Sequence, residues 1–257
     1  MSFKFPTVKK KDQRVLFLAK DLPSFCWNDL VDKDEIGRGT FGSVFVARYT
    51  ADGAGDTVVI KKLLASEEEE EKRLFCKEAK ILHKIRHPNV VEFKGICFTP
   101  TAIMLEYLCF DFAQFGIEEK VNSLEQFLHF IDAHDIVDDF PLQQKIAHDI
   151  CQGISYLHAT GIAHRDLKPA NILVSNGHYS ALESRSEIEN AFMLNPIICK
   201  VTDFGESRSQ HYQTATICHQ ATHNVQRGSP AYMAPEIFCG TEMSAAATIE
   251  DLKAVDM

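Results

Sequence analysis

The sequence predicts an α+β fold, and three observations carry the prediction. Val44-Phe45-Val46-Ala47-Arg48-Tyr49 is rich in β-branched and aromatic residues, turn formers follow at Asp52-Gly53-Ala54-Gly55-Asp56, and Thr57-Val58-Val59-Ile60 resumes the strand character, so residues 44–60 read as a hairpin. A helix and two more strand-like runs, 90–98 and 102–105, come next. Residues 141–158 then place Leu142, Ile146, Ile150, Ile154 and Leu157 every three or four positions, the period of a helix, with Gly161 marking its end. These strand-like runs and helices together make an α+β plan.

A chain of 257 residues can bury one large core or two smaller ones. With 25% charged and 45% apolar residues it is neither a disordered nor a membrane composition. Its formal charge of -9, from 36 acids against 27 Lys and Arg, opposes nucleic acid as a partner. Lys9-Lys10-Lys11 reads as a solvated tail, and Val15-Leu16-Phe17-Leu18-Ala19 is too short for a signal core or a membrane span. The expectation is a cytoplasmic chain whose eight Cys, with no Cys-x-x-Cys pair, are mostly reduced, buried small hydrophobes.

The hairpin is preceded by Ile36-Gly37-Arg38-Gly39-Thr40-Phe41-Gly42-Ser43-Val44. Its three glycines let backbone amides approach phosphate oxygens closely. A dinucleotide-binding turn would need a helix directly after Gly42, and a strand follows instead. Lys61 ends the second strand of the hairpin, with Lys62 turned to the other face. In the next helix Ser66 is the candidate cap, and the acidic run 67–71 suits the positive N-terminal end. Leu74, Phe75, Ile81, Leu82 and Ile85 make its apolar face, with Glu78 among them. A carboxylate in an apolar stripe needs a partner, and Lys61 is the candidate.

Farther along, His164-Arg165-Asp166-Leu167-Lys168-Pro169-Ala170-Asn171 sets a carboxylate, an ammonium and an amide on one short loop, the groups that serve a hydroxyl nucleophile, a phosphate and a metal ion. A strand-like run, Ile198-Cys199-Lys200-Val201-Thr202, leads into Asp203-Phe204-Gly205, and Ala234-Pro235-Glu236 comes later. Together these segments resemble the signature set of the eukaryotic-type protein kinases. Lys168-Pro169 and Gly228-Ser229-Pro230-Ala231-Tyr232 are similar to the serine/threonine class, and Gly95-Ile96-Cys97 to its tyrosine-kinase-like group.

The resemblance implies a two-lobed kinase fold: an N-terminal extension at 1–29, a small, mainly antiparallel β lobe with one helix at 30–107, and an incomplete, mainly α large lobe at 108–257. It implies ATP and Mg²⁺ as cofactors and transfer of the γ-phosphate to a protein Ser/Thr hydroxyl. Asp166 would be the catalytic base, Lys168 would meet the charge of the transferring phosphate, and Asn171 and Asp203 would hold the metal. Lys61, paired with Glu78, would contact the α and β phosphates. Ile36, Gly37, Gly39, Gly42, Val44, Val59, Glu106, Leu108 and Leu173 would surround the nucleotide, with Leu105 at the back of the pocket. His164 would pack rather than react.

Residues 205–234 have the character of an activation loop, carrying Ser207, Ser209, Thr214, Thr216, Thr222 and Ser229. Thr216 or Thr222 is the expected target of an upstream kinase, while Ser229 would contact Asp166 and Lys168. His211, Cys218, His219 and His223 loosely suggest zinc, but the loop reads as solvated. Two stretches exceed the family pattern: 110–140, to which no function is assigned, and 175–197, read as a surface-loop insertion. Asp256 would bond the backbone of the 164–171 loop, and the chain would stop near the start of the central helix, leaving the 141–158 helix partly uncovered. A nucleotide-binding but catalytically impaired fragment, or a pseudokinase-like scaffold, is the alternative. The signature of the latter, loss of Lys61, Asp166 or Asp203, is absent.

Overall fold

The computed structural model describes residues 21–38, 42–51, 53, 55–63, 69–134, 140–209, 229–238 and 248–256. They fall into two compact units, Met1–Lys84 with Glu92–Tyr107 and Ile85–Val91 with Leu108–Met257.

The first unit is built on a five-stranded antiparallel sheet of β1 (Leu30–Arg38), β2 (Gly42–Tyr49), β3 (Asp56–Leu63), β4 (Phe93–Phe98) and β5 (Thr101–Glu106), in the order β1-β2-β3-β5-β4. Register divides it into two faces. Val44 pairs with Lys61, Lys61 with Ile103, and Val59 with both Val46 and Leu105, so these side chains share one face. The other face bears Ala47, Val58, Ile60, Ala102 and Met104, buried with Phe25, Leu30 and Cys97 and flanked by Trp27, Phe45 and Tyr49. Residues 23–25 close this face by pairing with Ile96: Ile96 N donates to Pro23 O and Phe25 N to Ile96 O.

Gly42 begins β2 where a Cβ would stand 2.5 Å from Lys62 O, so only glycine allows β2 and β3 to close there. Helix α1 (Glu69–Lys84) packs against β4 and buries Phe75, Cys76, Glu78, Ala79, Ile81 and Leu82. Leu74, expected on this stripe, lies at its margin and is exposed. Ser66 lies outside the described residues.

Ile85–Val91 joins the second unit through its own bonds. Asn89 Nδ2 donates to Cys199 O at 3.0 Å, Val91 N to Val201 O at 3.0 Å, and His87 stacks on Tyr156. The second unit continues with β6 (Phe110–Asp111), a 3-10 turn, β7 (Lys120–Val121) and α2 (Leu124–Ala133), whose Phe110, Phe112, Phe127 and Phe130 stack into one aromatic core. A reciprocal capping box between Ser123 and Gln126 starts α2. Helix α3 (Phe140–Ala159) follows. Its Ile154 and Leu157 are buried, whereas Leu142, Ile146 and Ile150 are half-buried. At Gly153 a Cβ would sit 2.6 Å from Asn89 O, so this glycine lets α3 lie against the 85–91 segment. Buried Asp149 receives Lys145 at 2.6 Å and the Cys199 amide at 3.0 Å.

Two short antiparallel pairs complete the frame: β8 (Ile162–Ala163) with β11 (Arg208–Ser209), and β9 (Ile172–Ser175) with β10 (Ile198–Val201). The stretch 175–197, expected as a surface loop, instead forms α4 (Gly177–Ser180) and α5 (Arg185–Leu194). Its polar composition hid the two residues that anchor it, Tyr179 and Ile197, both fully buried. Helices α6 (Pro235–Phe238) and α7 (Ile249–Ala254) follow.

Of the six described cysteines, all free, Cys76, Cys97 and Cys199 are buried as expected, Cys109 is half-buried, and Cys26 and Cys151 are exposed. Among the described residues, no helix is long and apolar enough to cross a membrane.

Candidate active site

The 164–171 loop leaves β8 and enters β9 through a 3-10 turn at Pro169–Asn171, where Pro169 presets the backbone angle of the first position. Register in the β9–β10 pair sets Ile172 opposite Val201, and Thr202 N donates to Asn171 O at 3.0 Å. Asp203 is therefore one residue from the backbone of Asn171.

Within the loop, Asp166 is the hub. Lys168 Nζ lies 2.9 Å from Asp166 Oδ2, Asn171 Nδ2 donates to the same oxygen at 2.9 Å, and Ser229 N donates to Asp166 Oδ1 at 2.8 Å. Lys168 Nζ also donates to Ser229 Oγ at 2.6 Å. Burial disfavours the Asp166 carboxylate, but its bonds with Lys168 and Ser229 together outweigh that cost and hold the carboxyl below its ordinary 3.8. Ionised at neutral pH, it is an acceptor. The amide nitrogen of Asn171 is spent on Asp166, so its carbonyl oxygen is the atom suited to a cation.

Behind the loop, Asp256 Oδ2 accepts from His164 N at 2.7 Å, and Oδ1 from Arg165 N at 2.6 Å. His158 Nε2 stands 3.0 Å from Oδ2 as well. These bonds hold Arg165 at φ 73°, the left-handed region that L side chains rarely enter, and Asp203 adopts the same region at φ 64°. His164 is fully buried. Its Nδ1 faces the Asp166 amide at 3.3 Å and so accepts, which leaves Nε2–H to donate to Thr202 O at 2.9 Å. The ring meets Phe204 edge-on, with centroids 5.2 Å apart. His158 and Thr202 thus belong to the frame of the site, although nothing in their sequence spacing marks them.

In the first unit, Lys61 Nζ lies 2.8 Å from Glu78 Oε1, with the Glu78 side chain 7% exposed. β3 aims the amine and α1 the carboxylate. Gly37, Val44 and Val59 line the Lys61 face of the sheet, and Ile36 is the extra residue of a bulge between Glu35 and Gly37, half exposed. Glu106 ends β5, with Glu106 N donating to Glu92 O at 3.0 Å. Leu108, in the second unit, accepts from Asn122 Nδ2 through its carbonyl, and Leu173 in β9 is half-buried opposite Lys200. Gly39 lies outside the described residues, as do Thr214, Thr216, Thr222, His211, Cys218, His219 and His223. A cavity of about 560 Å³ opens beside Ser43, Phe45 and Lys62, on the face of the sheet opposite Lys61, so it is not part of this site.

The donor set fits magnesium. Asn171 and Asp203 offer hard oxygens, and Mg²⁺ is usually held by one or two such ligands with water and phosphate completing the shell. No cluster of three or more His, Cys, Asp or Glu fit for a metal occurs among the described residues.

Comparison with known proteins agrees with this geometry. The protein kinase domain model matches residues 30–249. Mitogen-activated protein kinase kinase kinase zak-1 of Caenorhabditis elegans is 31% identical over 246 residues, covering 92% of this chain and 27% of its own length. Serine/threonine-protein kinase CTR1 of Arabidopsis thaliana is 30% identical over 235 residues, 90% of this chain and 24% of its own. Dual specificity protein kinase splA of Dictyostelium discoideum is 34% identical over 227 residues, 85% of this chain and 8% of its own. The chain therefore spans about a quarter or less of the length of these relatives. Since the family model covers nearly all of the two units, the chain belongs to the protein kinase domain family.

Proposed function

We propose that this chain is the catalytic part of an ATP-dependent protein serine/threonine kinase of the cytoplasm, with protein substrates and no nucleic-acid partner. The carrying observation is the Asp166 cluster, an ionised carboxylate held by Lys168, Asn171 and Ser229 on a loop anchored by Asp256. Mg·ATP, when bound, supplies the phosphoryl group and the divalent charge that offsets its oxygens. Asp166 orients the substrate hydroxyl and accepts its proton, while Lys168 meets the charge that develops on the transferring group. Asn171 and Asp203 offer the metal oxygens.

Glu78 holds the Lys61 amine, which would contact the α and β phosphates, and without that pairing the amine would sample many rotamers. Ile36, Gly37, Gly39, Gly42, Val44, Val59 and Leu173 are the nucleotide contacts that the family resemblance implies. Backbone groups at Glu106 and Leu108 would meet the adenine edge. An upstream kinase would act on Thr216 or Thr222. Ser207 and Ser209 are buried, which disfavours both as targets in this state.

The test is phosphate transfer from Mg·ATP to a generic Ser/Thr protein substrate, with Asp166→Asn as control. Transfer that falls by about 10²–10⁴ in the control is expected for loss of a positioned base. Equal transfer by both proteins would overturn the assignment of Asp166. No transfer by the parent chain, with ATP still raising its melting temperature, would leave a nucleotide-binding protein without kinase activity.

A further inference from the structure

Residues 175–197 lie outside what the kinase resemblance accounts for, and they form a braced element rather than slack chain. Tyr179 is fully buried and donates from its hydroxyl to Pro196 O at 2.8 Å, and Asn176 Nδ2 donates to Asp111 O at 2.9 Å. Phe192, on the last turn of α5, meets Tyr179 edge-on at 6.2 Å and Phe115 at 5.7 Å. These contacts fix how the end of α5 is presented. The next two residues nevertheless point large apolar side chains at solvent: Met193 is 81% and Leu194 87% exposed, beside Phe115 at 47%. A soluble protein spends braced structure on such a projection when something covers it.

The surrounding charge says what kind of partner that is. Exposed Glu118 and Glu119 follow Phe115 in the chain, and exposed Glu187 and Glu189 lie along α5. Arg185 of α5 is paired with Glu189 at 2.9 Å, and Lys120, next to Glu119, with Asp111 at 2.7 Å, so the acidity of the rim comes from Glu118, Glu119 and Glu187. We propose that the Phe115–Met193–Leu194 projection docks a partner protein through a segment that is both apolar and cationic. An anionic membrane or a nucleic acid would meet like charge here. An amphipathic basic segment covers the apolar residues and sets its Lys or Arg against the glutamates, with the pliant Met193 adapting to its shape. The proposal does not rest on phosphate transfer, and its test reads binding alone.

The 257-residue chain is titrated into a fluorescein-labelled peptide with Leu and Lys at amphipathic helical spacing, and in parallel into one with Glu in place of Lys. A saturable anisotropy rise is expected with the Leu/Lys peptide, about tenfold weaker with Leu/Glu, as a lost charged interface pair would give. Met193→Glu with Leu194→Glu should weaken Leu/Lys binding by about tenfold or more, as loss of apolar anchors does. Glu187→Lys with Glu189→Lys should do the same and reduce its salt dependence. Unchanged melting temperatures would show that both variants remain folded, and loss of melting in one leaves the other as the arbiter. Equal affinity for the two peptides, binding unmoved by the folded variants, or no binding at all would overturn the proposal. So would a concentration-dependent doubling of mass in sedimentation that Leu194→Glu abolishes, because the occupant would then be a second copy of the chain.

Discussion

At the scale of single residues, the site turns on how one carboxylate is kept charged. Burial raises the pKa of Asp166, and the bonds from Lys168 and Ser229 lower it by more. With the folded value depressed, the stability that these bonds contribute is present above the ordinary 3.8 and is lost as the pH falls through the folded value. The ionised fraction of Asp166 is therefore flat through neutral pH. Lys168→Met removes the cation and leaves the burial, so the acidic limb of the pH–rate profile should move upward, along with a large loss of kcat. A limb that stays in place would show that Lys168 does not govern Asp166. Reactivity of the thiols follows the same physics. Burial pushes Cys76 up to about 11, and burial with the nearby Asp149 charge pushes Cys199 up to about 12. Among the described cysteines, iodoacetamide at neutral pH should label exposed Cys26 and Cys151 before Cys76 and Cys199, as peptide-resolved mass spectrometry would read; early labelling of Cys199 would contradict its burial.

Elements succeed or fail here by their close approaches. The β2–β3 pair admits no Cβ at Gly42, and Gly42→Ala should destabilise the first unit by about 1–3 kcal/mol, the usual cost of forcing atoms into a packed site. Thermal melting measures it, and a neutral result would mean that the strands separate there easily. The insertion is held by Asn176, fully buried, whose side chain both donates to Asp111 O at 2.9 Å and accepts from Asp111 N at 2.8 Å. Asn176→Ala leaves both backbone groups unsatisfied and should cost about 1–3 kcal/mol. Amide exchange should rise at Asp111 and through α4; exchange that rises evenly over the chain would instead point to global destabilisation.

For the molecule as a whole, Asp256 is the tie between distant parts of the second unit. Its side chain is 1% exposed and gathers His158 from α3 with the amides of His164 and Arg165, the latter 91 positions away in the chain. Asp256→Ala removes the acceptor for all three and frees Arg165 from its left-handed backbone. A loss of about 1–3 kcal/mol is expected for each amide left without its acceptor, with kcat falling further than stability alone explains. Intact kcat in a variant that still binds ATP would show that the loop holds its shape without this anchor.

Much of the chemistry could be read from local order. The hairpin pattern places Lys61 at the end of β3, the helical stripe encloses Glu78, and the short spacing from Asp166 to Asn171 fixes one loop, because strand alternation, helical period and turn residues act over a few positions. What the sequence by itself determined was thus the α+β plan, with Asp166, Lys168 and Asn171 on one loop and Lys61 within reach of Glu78. Tertiary structure alone decided that His158 and Thr202 frame the loop, that 85–91 sides with the second unit, and that the polar 175–197 stretch is two helices around Tyr179. Those outcomes depend on which distant residues meet a given side chain, and no local period encodes a meeting across such separations.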